Sequence, residues 1–243
     1  MAAGVGGGLT GSIAGLASLV SYPALLAVGL TPIAANVTNT VALVSAGAGS
    51  ITASGPELKG QWNRLRQLAL AGLGGGIIGA MLLLLTPSGS FKLVVPWLIA
   101  IASVLVLSSH RIVSAEGERY RHPGIPPLTT VGTFVTAIYG GYFGAAAGVV
   151  MLVLLQVTLT DDFPRLNAIK NLVAVTFNLV AAVIFAFVSP VHWVVAAPLA
   201  VGFFMGGRIG PAVTRAAPAA VLRLVICLMG LGLAVWLGID AYG

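Results

Sequence analysis

Long apolar stretches dominate this chain, separated by short polar interruptions. A helix needs about 20 apolar residues to span a hydrocarbon core. Eight stretches reach that length, at roughly 3–29, 34–54, 65–86, 91–109, 128–157, 166–188, 192–213 and 219–238. The pattern predicts an all-α integral membrane protein with about eight transmembrane segments. The first and fifth are too long for one straight crossing. Glycines interrupt both and Pro23 also interrupts the first, which predicts tilted, kinked or discontinuous helices. Were both to break into half-helices, the count would rise to ten.

The pattern also occurs twice. Gly8, Gly11 and Gly15 recur 133 positions on, as Gly141, Gly144 and Gly148. Further along the shift is 131: Gln61-Trp62 answers to His192-Trp193, Gly75-x-x-x-Gly79 to Gly206-x-x-x-Gly210, Pro87 to Pro218 and Lys92 to Arg223. The chain therefore divides into two homologous four-segment repeats, 1–109 and 128–243, joined by a polar linker at 110–127. Internal duplication in an apolar chain marks a transporter fold, with its site where the halves meet. An even number of crossings per half makes the repeats parallel; an odd number inverts them.

Composition removes the soluble classes. Charged residues make up 7% of the 243 positions and the mean hydropathy is +1.04, whereas soluble domains carry about 25% charge. The 32 glycines suit close helix packing in lipid. The formal charge of +6 is spread over segment ends. That spread suits snorkelling anchors and headgroup contacts in a lipid bilayer, and not a nucleic-acid footprint. With eight crossings, Lys59, Arg64, Arg66, Arg111, Arg119 and Arg121 fall on one side. Lys92, Arg165, Lys170, Arg208, Arg215 and Arg223 fall on the other, so the positive-inside rule has no majority to follow. The lone Cys227 excludes an intramolecular disulfide and reads as a small apolar helix residue. Met1-Ala-Ala-Gly lacks the basic start of a cleavable signal peptide.

Two segments are too polar to be lipid-facing walls. In the second, Asn36, Thr40, Gly47, Ser50 and Ser54 share one face, while Thr38, Ser45 and Thr52 line nearly the opposite one. A helix polar on two sides must be surrounded by protein or water. In the sixth, Asn167, Asn171 and Asn178 form one stripe with Lys170 beside them. Ala35-Asn36-Val37-Thr38-Asn39 aligns with Ala168-Ile169-Lys170-Asn171-Leu172, so both copies set polar groups at equivalent depth. Side-chain amides facing small residues can replace the hydration shell of a polar solute. The same residue types also join packed helices, at about 0.6 kcal/mol each. Lys170 lacks an acidic partner at helical spacing and would attract an anion; the other reading has it snorkel to the interface near Arg165. The glycine runs suit close packing, or broken helices whose amide ends point at an anion. Trp62 and Trp193 read as interfacial belt residues.

Other chemistries find little here. None of Glu57, Glu116, Glu118, Asp161, Asp162 and Asp240 lies well inside a predicted span, which disfavours a carboxylate proton relay unless Asp161 or Asp162 folds inward. No Walker sequence is present, and His110, His122 and His192 lack metal-ligand spacing. No enzyme activity and no cofactor are expected.

Ser18-Leu-Val-Ser-Tyr-Pro-Ala-Leu-Leu and Ala35-Asn-Val-Thr-Asn-Thr-Val-Ala-Leu resemble the first repeat of the sulfite exporter TauE/SafE family, also called the toluene sulfonate uptake permease group. Tyr139-Gly-Gly-Tyr-Phe-Gly-Ala and Arg165-Leu-Asn-Ala-Ile-Lys-Asn-Leu resemble its second repeat. Many members carry Gly-x-Gly-Gly-Gly before the first-repeat proline, where this chain has Ala14-Gly-Leu-Ala-Ser18. The resemblance implies a bacterial inner-membrane, multi-pass transporter of a small anion such as sulfite, a sulfonate or another organic anion. On this reading Lys170 offsets the anion's charge, and Asn36, Asn39, Asn167 and Asn171 supply hydrogen bonds. Thr38 is an adjacent ligand, and Ser21 and Tyr22 line the same cavity. Sodium coupling or downhill flux is favoured over proton coupling. An anion channel and a membrane scaffold without transport are the alternatives. GxxxG spacings suit a homodimer as well as packing within one chain.

Overall fold

The computed structural model of the chain describes residues 1–115, 125–216 and most of 228–242, and their regular structure is entirely helical. Half of the linker at 110–127, Cys227 and much of the eighth stretch lie outside the described residues, as do Glu116, Glu118, Arg119, Arg121, His122, Arg223 and Asp240.

The helices are α1 (Ala2–Ala14), α2 (Ala17–Ala27), α3 (Pro32–Ala53), α4 (Gly55–Leu58), α5 (Trp62–Leu85), α6 (Ser88–Ala115), α7 (Pro127–Tyr142), α8 (Ala147–Thr158), α9 (Phe163–Val188) and α10 (Trp193–Ala216). Proline in the first turn starts α3, α7 and α9, where its fixed φ suits the helix and its missing N–H costs nothing. Among the described residues, Trp62–Leu85, Phe163–Val188 and Trp193–Val213 are long and apolar enough to cross a membrane. Large apolar side chains cover their outer faces: Leu70, Met81 and Leu85 on α5, Val183 and Phe187 on α9, Val194 and Ile209 on α10. An apolar exterior of that extent requires lipid around it.

The stretches 3–29 and 128–157 are each discontinuous, broken into two half-helices that fold back as hairpins. At 1.5 Å per residue, α1 is about 20 Å long and α2 about 16 Å, each shorter than a bilayer core of about 30 Å. The chain turns back at Gly15, which adopts φ +75, a conformation that costs a residue with a Cβ about 1–2 kcal/mol. The return of α2 brings Ala17 onto Gly11 and Val20 onto Gly6. In the second half the turn spans residues 143–146, with left-handed Gly144 and Ala146. There α8 returns along α7: Leu154 packs on Gly132, and the Thr133 hydroxyl donates to Met151 Sδ at 3.7 Å.

The two halves interlock. Helix α1 packs on α10 through Gly4 and Gly8 against Leu199, Gly202 and Phe203. Equivalently, α7 packs on α5, with Phe134 and Ile138 against Gly75 and Gly79. The glycine pairs Gly75/Gly79 and Gly206/Gly210 are thus used inside the chain: at Gly75, Gly79 and Gly206 the missing Cβ lets two backbones meet, and at Gly210 it makes room for the Ser12 side chain. Helices α3 and α9 cross antiparallel between the hairpins, with Gly47 against Val175 and Ser50 beside Asn171. At the centre the hairpins touch tip to tip. A Cβ on Gly15 would strike the backbone of Gly148, and one on Gly148 the backbone of Gly15. The left-handed turn glycines that correspond in the two hairpins are Gly15 (φ +75) and Gly144 (φ +74), and Gly148 follows in the first turn of α8.

Candidate functional site

Folding a helix back in the middle of an apolar body leaves its last carbonyls without intrahelical partners. At the end of α1, Gly15 N–H bonds Gly11 O at 2.7 Å and Leu16 N–H bonds Thr10 O at 3.3 Å. The polar stripe of helix α9 donates to two carbonyls of this last turn, those of Gly11 and Ser12. Lys170 Nζ donates to Gly11 O and Ser12 O, both at 3.1 Å. Asn167 Nδ2 and Asn171 Nδ2 also donate to Ser12 O, at 2.9 and 3.2 Å. Asn171 reaches Ser50 Oγ on α3 at 2.6 Å, and Ser50 pairs with Ser12 Oγ at 2.8 Å. A cation against a helix C-terminus is the favourable pole for that dipole. Lys170 is 1% exposed and has no ion-pair partner among the described residues.

The end of α7 is closed by α3 in the same manner but without charge. Asn36 Nδ2 donates to Tyr142 O at 2.9 Å. The Tyr139 hydroxyl donates to Ala145 O at 2.6 Å within the turn.

A cavity of about 60 Å³ lies beside the tip-to-tip contact. A water needs about 10–15 Å³ of such space, so the cavity holds several waters or a small oxyanion. Lys170, Asn171 and Asn178 line it from α9, and Gly47 from α3. The first residues of α2 (Ala17, Ser18) and of α8 (Ala147, Gly148) line it from the two hairpins. Two helix N-termini, with their positive dipole ends, therefore border one space. Lys170 uses two of its three ammonium hydrogens on α1, which leaves one for the cavity.

All eight residues singled out from the sequence are buried, but they divide by position. Lys170 and Asn171 line the cavity. Asn167 lies one turn away on Ser12 O, and its Oδ1 has no hydrogen-bond partner among the described residues. Asn39 is held between Ser18 and Ser21: it donates to Ser18 Oγ at 3.0 Å and accepts from Ser21 Oγ at 2.6 Å. It thus reaches the cavity only through Ser18. Asn36 closes α7. Thr38 Oγ1 accepts from His192 N at 3.1 Å, tying α3 to the start of α10. Tyr22 packs edge-on against Phe143, with ring centroids 5.4 Å apart, and stands outside the cavity lining. Ser12, Ser18, Gly15 and Gly148 were not among the eight. Gly15 and Gly148 stood in the glycine repeat, and Ser18 in the string that resembles the family's first repeat, but nothing in the sequence set Ser12 apart.

The family profile of "Sulfite exporter TauE/SafE" matches residues 1–237. The chain belongs to this family. It is 30% identical over 240 residues to the "Probable membrane transporter protein ORF9" of Sinorhizobium sp, covering 96% of this chain and 88% of that protein. Against the "Probable membrane transporter protein YfcA" of Escherichia coli K12 it is 26% identical, covering 97% and 87%. A "Probable membrane transporter protein" of Haemophilus influenzae is 24% identical, covering 90% and 85%. No solved structure matches the chain. This is a membrane transporter family, and its member here is a multi-pass membrane protein. In it the string Leu166-Asn-Ala-Ile-Lys-Asn171 is the segment of α9 that closes the first hairpin and lines the cavity.

Proposed function

We propose that this protein is a secondary carrier or facilitator for a small oxyanion, such as sulfite or a sulfonate, in a bacterial inner membrane. One observation carries the reading: two half-helix N-termini, Lys170 and Asn171 surround one small cavity at the contact of the two repeats. An anion there receives amide dipoles from both hairpins and an ammonium hydrogen from Lys170. Each anion oxygen accepts two or three donors, which the Ser18 hydroxyl, Lys170 and these amides supply, while Asn171 Nδ2 is already spent on Ser12 O and Ser50 Oγ.

The hairpins also bear on topology. Each half would contribute one hairpin that enters and leaves on the same side, followed by three crossings, α3, α5 and α6 in the first. Three is odd, so the repeats invert. Tracing the described helices on this plan puts the positions of Lys59, Arg64, Arg66, Arg111, Arg165, Lys170, Arg208 and Arg215 nearer one face and Lys92 nearer the other. The positive-inside rule then assigns the arginine-rich face to the cytoplasm. A reporter active only outside the cytoplasm, fused after Gly243, is expected to be active. Inactivity there would defeat this topology.

The transport reading is tested by flux into proteoliposomes with sulfite, a sulfonate and a carboxylate, each with and without a sodium or proton gradient. Saturable uptake of an oxyanion that Lys170→Ala abolishes is the expected result. Full uptake by Lys170→Ala would remove the central residue. Lys170's bonds to α1 favour a second reading, in which it serves only to close the helix. Flux preserved in a destabilised Lys170→Ala protein is the mark of that alternative.

A further inference from the structure

Away from the central cavity, an open groove of about 620 Å³ runs between α5 and α7 on the outer surface. Its two ends differ chemically. Asn63, Arg66 and Gln67, in the first turns of α5, form a polar end, and Leu70, Val131 and Phe134 form an apolar one. Asn63, Arg66, Gln67 and Leu70 follow the i, i+3, i+4, i+7 spacing of a single helix face, so polarity falls with depth along one line. Trp62, 75% exposed at the start of α5, marks the membrane–water boundary beside the polar end. Gln67 Nε2 donates to Thr130 Oγ1 at 2.9 Å, which ties the two helices together at the top of the groove. Arg66 is exposed and, among the described residues, has no ion-pair or hydrogen-bond partner. Its neighbour Arg64 differs, being bound to Asp161 at 2.6 Å.

We infer that this groove holds one anionic glycerophospholipid, its phosphate on Arg66 and one acyl chain along Leu70, Val131 and Phe134. A free cation at interfacial depth, above an apolar channel open to the bilayer, complements a lipid with a negative head and a hydrocarbon tail. A soluble phosphate would leave the apolar end empty. A zwitterionic lipid would fill the channel but gain less from Arg66. A lipid in this position would brace α5 against α7, the pair that carries the second hairpin. The assignment is independent of which anion the central cavity takes.

Native mass spectrometry of the full chain in detergent tests this, with equimolar phosphatidylglycerol and phosphatidylcholine of matched acyl chains. The wild-type chain is expected to retain phosphatidylglycerol about fivefold over phosphatidylcholine, the preference that one interfacial arginine supplies. Arg66→Gln, an exposed and conservative change, should bring the ratio close to one. Val131→Trp, which fills the channel, should lower retention of both lipids. Arg208→Gln, removing an exposed cation of α10, should leave the ratio unchanged. Three outcomes overturn the proposal: a preference that survives Arg66→Gln, an equal loss with Arg208→Gln, or bound lipid unaffected by Val131→Trp. A concentration-dependent dimer that Val131→Trp abolishes, with no lipid retained by the wild type, gives the groove to a second copy instead.

Discussion

The two hairpins share a backbone plan and differ in how their turns and helix ends are closed. The first turns at the single left-handed residue Gly15, and three α9 side chains, one of them Lys170, donate to the end of α1. The second turns through residues 143–146 with two left-handed residues, and one neutral amide, Asn36, bonds the end of α7. In the register in which Asn36 and Asn167 each bond a hairpin end, 131 positions apart, Lys170 stands where the first half has the neutral, buried Asn39. The same backbone plan thus occurs twice, while the charge sits at one hairpin only. The lesson is that backbone symmetry and chemical symmetry separate at this site. One dipole pair is general to both halves, but the cation belongs to α9 alone.

The largest expected contrast lies at the turns. Gly15→Ala combines a left-handed alanine with a clash on the Gly148 backbone. It should cost about 3 kcal/mol or more of stability. Gly144→Ala has the same backbone strain, but its Cβ would meet only Gly140 O, at 2.9 Å. It should cost about 1–2 kcal/mol. Melting of the detergent-solubilised variants measures the difference. Equal shifts would show that the tip contact does not distinguish the hairpins.

Next in size is the asymmetry of the helix ends. Lys170→Met removes charge-assisted bonds to Gly11 O and Ser12 O and should destabilise by about 2–3 kcal/mol, whereas Asn36→Leu should cost about 1 kcal/mol. Chemical denaturation compares the two. A larger loss at Asn36 would reverse the assignment of the charged hairpin.

The smallest effect concerns the faces of the molecule. Arg64 on α5 bonds Asp161, which precedes α9, at 2.6 Å, and Arg165 joins at 3.5 Å. The position equivalent to Arg64 in the second half is Val195, so this ion pair has no counterpart there. Arg64→Ala should cost about 1 kcal/mol or less, and the difference should shrink in high salt. A salt-independent loss would mean that packing, not charge, joins the halves at that face.

Much of this was legible in the chain. Apolar stretches of spanning length gave the membrane class, because lipid leaves few other solutions for a backbone. Glycines in the overlong first and fifth stretches signalled discontinuous helices without fixing where they break, and Lys170, Asn171 and Asn178 of the second polar segment line the cavity. Asp161 also stayed in its loop, paired with arginines, and does not fold inward. Other residues resisted reading. Asn36, Asn39 and Thr38 are polar, buried and aligned with the second stripe, yet each is spent on joining elements. A polar side chain looks the same in sequence whether its partner is a ligand or a carbonyl of another helix.

What the sequence by itself determined was a set of membrane helices, the first and fifth stretches interrupted by glycines, and polar along the segments that became α3 and α9. Only the tertiary structure decided that each interruption folds back rather than kinks, and that the folds meet at Gly15 and Gly148. A glycine permits several backbone conformations at little cost, so its presence marks where a helix can break without setting the direction. That direction comes from what packs against the returning helix and from which distant side chains reach the carbonyls left open.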